Sequence, residues 1–85
     1  MNGVFYKVNG KGQYKEYMNG SYTEASEAFH ELIARATAMG FQKVRHSFGC
    51  CGVILTFSDD KTKVEIVYIK SERELEWLKH FDKVA

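Results

Sequence analysis

Gly49–Lys70 reads GCCGVILTFSDDKTKVEIVYIK, and the fold turns on how this stretch divides. It holds two runs, Val53–Ser58 and Lys63–Ile69, on either side of the polar link Asp59-Asp60-Lys61-Thr62. Val, Ile, Tyr, Phe and Thr dominate both runs. Such side chains suit a pleated, half-buried surface, and a short polar link between two such runs marks a hairpin. Ahead of it, Gly49-Cys50-Cys51-Gly52 either turns an earlier strand into this hairpin or forms a Gly-bulged start to one long strand. The turn is the reading adopted.

Working upstream, Phe41–Phe48 reads as a further strand, with Val44, His46 and Phe48 facing one way and Lys43, Arg45 and Ser47 the other. A helix precedes it. Ser21-Tyr22-Thr23-Glu24 fits a capping box, in which Ser accepts from the N3 amide and Glu reaches back to the cap. Ala25, Ala28, Phe29, Leu32, Ile33, Ala36 and Met39 then fall on one arc at 3.6-residue spacing, and Gly40 ends the helix. Glu24, Glu27, Glu31 and Arg35 lie on the far side, with Glu31 and Arg35 spaced for an i,i+4 pair.

At the N-terminus, Val4–Val8 and Gln13–Met18 form a first hairpin around Asn9-Gly10-Lys11-Gly12, residue types that tolerate the positive φ of tight turns. Alternation puts Tyr14 and Met18 opposite Lys15 and Tyr17, and Asn19-Gly20 closes the strand. Downstream, Ser71-Glu72-Arg73-Glu74 offers a second capping box for a helix to about Asp82, with Leu75, Trp77, Leu78 and Phe81 on its apolar arc. The order is ββαβββα: a single α+β domain over residues 1–85, built on a largely antiparallel sheet. The first helix is expected to cover Val44, Phe48, Val53, Leu55, Phe57, Val64, Ile66 and Tyr68. The other face then carries Lys43, Arg45, Ile54, Thr56, Lys63, Glu65, Val67 and Ile69, covered by the second helix or the first hairpin, or open to a partner.

Composition narrows function by exclusion. With 45% hydrophobic residues the chain can bury a core, and disorder is not expected. Twelve Lys and Arg against eleven Asp and Glu are too balanced for a polybasic nucleic-acid binder or an acidic DNA mimic. No signal-peptide run or membrane-length segment is present. The adjacent cysteines cannot form a useful staple, which points to a reducing, cytoplasmic setting.

No reactive constellation stands out. Cys50, Cys51 and His46 supply at most three ligands at a spacing poorly suited to zinc, so no metal or cofactor is expected. A thiolate near Arg45 is a weaker alternative to cysteines that simply fit a turn. His30, His46 and His80 fall on three different elements, without a triad arrangement. Asp59-Asp60 reads as a turn former, and Gly10-Lys11-Gly12 lacks the spacing of a phosphate loop. From Thr23 onward the order αβββα is that of double-stranded-RNA-binding domains. The basic cluster those domains place at their last helix is here the net negative Ser71-Glu72-Arg73-Glu74, so that family is not assigned.

The expectation is a non-enzymatic module that binds another protein, through the sheet face of Lys43, Arg45, Ile54, Lys63 and Val67 or through the Tyr/Lys hairpin. Edge strands are a further route to a partner strand or a homodimer. The size fits a regulator or inhibitor that occludes its partner, of the kind phages and other mobile elements carry, an expectation from size alone. The alternative is nucleic-acid binding through the N-terminal hairpin, where Tyr6, Lys7, Tyr14, Lys15 and Tyr17 interleave stacking rings with cations, together with the basic third strand.

Overall fold

The chain folds as β1 (Asn2–Val8), β2 (Lys15–Gly20), α1 (Tyr22–Ala38), β3 (Gln42–Gly49), β4 (Gly52–Ser58), β5 (Lys63–Ile69) and α2 (Glu72–Val84), the α+β order the sequence implies. The computed structural model describes residues 1–10, 12–49 and 52–84, with side chains given except at 48 and 80–84. All pairings are antiparallel, and the strands lie side by side as β2-β1-β5-β4-β3. The β4–β5 hairpin therefore contributes a central strand and its neighbour, while β1 crosses to pair with β5. Among the described residues, no helix is long and apolar enough to cross a membrane.

Each turn has a local cause. The Asp59 carboxylate accepts from the Lys61 and Thr62 amides at 2.8 and 2.6 Å, and the Asp59 amide donates to the Thr62 carbonyl at 3.0 Å. Asp59 thus acts as the turn former its setting suggests. Asn9, at φ 57°, does more than turn the chain. Its amide donates to the Lys63 carbonyl, and its side-chain oxygen accepts from the Lys63 amide. Gly49 lies opposite Gly52, so the β3–β4 pairing runs to the ends of both strands. Cys50 and Cys51 themselves, and the thiol reading attached to them, lie outside the described residues.

α1 is bounded as expected. Ser21 and Glu24 form the complete capping box. At the other end Gly40 donates to the Thr37 carbonyl and Phe41 to that of Ala36, the paired bonds of a Schellman ending. Ala25, Ala28 and Ala36 are buried, and Phe29, Leu32 and Ile33 pack around them. Met39 departs from the expected arc: as the cap residue it is 72% exposed. At α2 the Ser71 hydroxyl accepts from the Glu74 amide as predicted. The Glu74 carboxylate instead reaches one residue further back, accepting from the Lys70 amide at 2.6 Å.

The helices pack on opposite faces of the sheet. Under α1 lie Val4, Leu55, Phe57, Ile66 and Tyr68, with Val53 and Val64 beside them. Under α2 lie Phe5, Val67 and Ile69, joined by Leu78 and flanked by Ile54, Leu75 and Tyr14. Fully burying such side chains contributes roughly 1.5–3 kcal/mol each.

Three strand expectations are corrected. Asn19-Gly20 does not break β2: β1 begins at Asn2, so Asn19 and Gly20 find partners in Gly3 and Asn2. A bulge at Tyr17 puts Met18 opposite Val4 but Glu16 opposite Phe5. Tyr14 and Met18 therefore end on different faces. A second bulge at Val44 puts Lys43 opposite Phe57 and Arg45 opposite Thr56. Cross-strand partners share a face, so Lys43 falls on the α1 side, while Val44, expected in the core, is 63% exposed.

Candidate functional site

The proposed sheet surface divides into a covered half and an open half. Val67 is 0% exposed and Ile54 half-buried, both under α2, so neither is available to a partner on that face. The second helix covers this half, one of the three outcomes the sequence allowed. The remainder is a polar row crossing the sheet. The register sets Arg45 opposite Thr56, Thr56 opposite Glu65, and Glu65 opposite Lys7. Lys63 stands two residues before Glu65 on β5, opposite Ser58, and is exposed.

Lys7 and Thr56 are buried although polar, and the row explains why Lys7 tolerates this. Its ammonium sits 4.1 Å from the centre of the Tyr14 ring, with Glu65 across the strand pair. Tyr14 in turn donates to the Glu65 carboxylate at 3.3 Å. A ring face and a nearby carboxylate are the partners that let a cation leave bulk water. Among the described residues, no buried side-chain nitrogen or oxygen lacks a hydrogen-bond partner. The row thus satisfies itself over its inner part, and Arg45 is its exposed end.

The Tyr/Lys hairpin does not form one platform. The register pairs Tyr6 with Lys15 on the α1 face, while Lys7 and Tyr14 meet on the other. Tyr17 is engaged elsewhere: its hydroxyl donates to Glu31 at 3.2 Å and accepts from Arg35 at 3.4 Å. Glu31 and Arg35 also form the expected i,i+4 pair at 3.9 Å. A stacking surface needs its rings and cations on one side, and the bulge at Tyr17 together with strand alternation separates them.

What stays open is an edge of the sheet. β3 is eight residues long, lies at the end of the strand order, and is exposed from Gln42 to His46. Its sequence, QKVRHSFG, contains no carboxylate. Lys43 and Arg45 project to opposite faces, so the edge is basic from either side. The other edge, β2, lies against α1 through Tyr17 and Met18. Sequence reasoning found Lys43 and Arg45 but missed the bulge between them, because one extra residue leaves no compositional mark on a strand. Among the described residues, no group of three or more His, Cys, Asp or Glu is arranged to hold a metal ion. Comparison of the chain with protein-family models, with curated proteins and with solved structures returned no match.

Proposed function

We propose that the chain is a non-enzymatic module that binds another protein by adding an extended segment of that protein to the β3 edge. The observation that carries this reading is the basic edge strand β3, exposed from Gln42 to His46. Strand addition satisfies main-chain groups along the edge, and side chains on alternate positions set specificity. Lys43 and Arg45 favour a partner strand bearing Asp or Glu. The same charges disfavour a homodimer through this edge, because a two-fold pairing centred near Arg45 gathers four cations in one small area. Lysine and a bulge on an edge strand also suppress indiscriminate pairing, which suits a surface reserved for one complementary partner.

A module of this kind works by occlusion: a segment held against β3 is withdrawn from its other contacts, which supports a regulator or inhibitor. On cysteine usage alone, its setting is the reducing cytoplasm.

The test is capture on the tagged chain from native lysate, with and without nuclease, beside the Lys43→Glu, Arg45→Glu double variant. The expected result is a protein that survives nuclease, slows amide exchange along 42–49, and binds the variant at least about 100-fold more weakly, as reversal of two interface charges allows. Both changes are exposed, so the thermal midpoint should stay nearly fixed. Retention by the variant would overturn the choice of surface. Material lost with nuclease would move the reading to nucleic acid.

A further inference from the structure

A groove of about 340 Å³ opens between one flank of α1 and the end of the sheet where β1 begins and β5 ends. Small-molecule sites occupy roughly 300–1,000 Å³, so the space suits a compact ligand. Its floor is apolar and aromatic: Phe29 meets Tyr68 edge to face, ring centres 5.4 Å apart, with Val53 alongside. Tyr22, Ser26, Phe29 and His30 recur at helical spacing and line the α1 side. On the helix side Ser26 is half-buried, and Tyr22 is 63% exposed instead of closing the gap.

The polar groups around the floor share one character. Tyr68 donates to the Asn2 side-chain oxygen at 3.0 Å, leaving the Asn2 amide protons as donors. Burial, and then the neighbouring Tyr22, push the Tyr68 phenol above its ordinary range. Lys70 lines the exposed rim, and among the described residues no carboxylate belongs to the lining. The Glu74 carboxylate, one helical turn beyond Lys70, accepts from the Lys70 amide. Flat apolar walls with donors and one cation at the mouth complement a flat apolar body carrying one negative group.

We propose that this groove is a binding site for a small aromatic carboxylate, its ring system against Phe29 and Tyr68 and its carboxylate towards Lys70. The site is separate from the β3 edge and does not depend on it. The test is titration of the isotope-labelled full-length chain with 2-naphthoate, followed by backbone amide NMR. Expected are saturable shifts confined to residues around Asn2, Tyr22–His30, Val53 and Tyr68–Lys70. Lys70→Glu should weaken binding at least about tenfold, the scale of one charge-assisted contact. The neutral analogue 2-naphthamide should lose affinity by a similar factor. Ser26→Phe should fill the space and abolish the shifts while the remaining spectrum persists. Absence of saturation at millimolar ligand, shifts centred on another surface, or full affinity in Lys70→Glu would each overturn the proposal.

Discussion

The two hairpins that end the sheet use the same device to opposite effect. In the N-terminal hairpin the edge strand β2 carries a bulge at Tyr17; in the other, the edge strand β3 carries one at Val44. A bulge re-aims the side chain at its extra residue and those beyond it. In β2 it sends an aromatic towards α1, where Tyr17 meets Glu31 and Arg35. In β3 it leaves an aliphatic side chain in solvent. The difference lies above the sheet, because α1 packs chiefly over β2, β1 and β5, while β3 is exposed from Gln42 to His46. One edge is therefore closed by the helix and the other is left to the surroundings, a distinction that neither strand's composition reveals.

The turns that build the two hairpins differ as strongly, and the largest expected effect tests that difference. Gly52 has φ 83°, and a Cβ there would overlap the Tyr68 carbonyl oxygen of the neighbouring strand. Gly10 has a similar φ of 64°, but a Cβ there would meet nothing within 4 Å. Gly52→Ala combines a strained backbone with a backbone clash and should cost roughly 3 kcal/mol or more. Gly10→Ala carries only the left-handed penalty, about 1 kcal/mol. Urea unfolding of both variants compares them directly. Equal losses would mean that the β3–β4 turn relaxes, and that the β3 edge is not held in place as described.

Much of this architecture is legible before folding, and what is missed has a common cause. α1 announces itself locally: the capping box Ser21–Glu24, the apolar spacing from Ala25 to Ala36, and Gly40 all act within a few residues of one another. The β4–β5 hairpin is equally local, fixed by Asp59 and its two amide partners. The errors arise where a distant strand decides. Asn19-Gly20 looks like a break until Asn2 and Gly3 arrive as partners. Lys43 and Val44 look like ordinary alternating positions until pairing with Phe57 and Thr56 inserts the extra residue between them. Ile54 and Val67 have the same pattern whether a helix covers them or a partner does. Only the position of Leu75 and Leu78 over that face decides it. For the site, Lys43 and Arg45 were identifiable as exposed cations, whereas the groove beneath Tyr22 depends on α1 meeting the sheet end and has no motif.

A smaller effect is expected at the closed edge. Tyr17→Phe keeps the ring on the core and removes only the hydroxyl contacts to Glu31 and Arg35. Those contacts are solvent-exposed, so the loss should be about 0.5–1 kcal/mol. Amide exchange should quicken in β2 and not in β3. A change confined to the global unfolding free energy, with no selective opening of β2, would show that the hydroxyl does not secure this edge.

The smallest effect belongs to the other bulge residue, and it separates folding from recognition most cleanly. Val44 makes up the extra position of β3 and stands in solvent, so Val44→Ser should change stability by no more than about 0.5 kcal/mol. A buried valine would lose far more, because truncation removes transfer free energy and leaves a cavity. If β3 receives a partner strand, however, Val44 is an apolar side chain on the accepting edge, and its loss should appear in the dissociation rate of the complex. Paired with Tyr17→Phe, the variant asks whether the two bulges have exchanged roles. A loss of stability at Val44 with none at Tyr17 would reverse the assignment of the open and closed edges. Unchanged stability with faster dissociation would mark β3 as the edge whose bulge serves binding and not the fold.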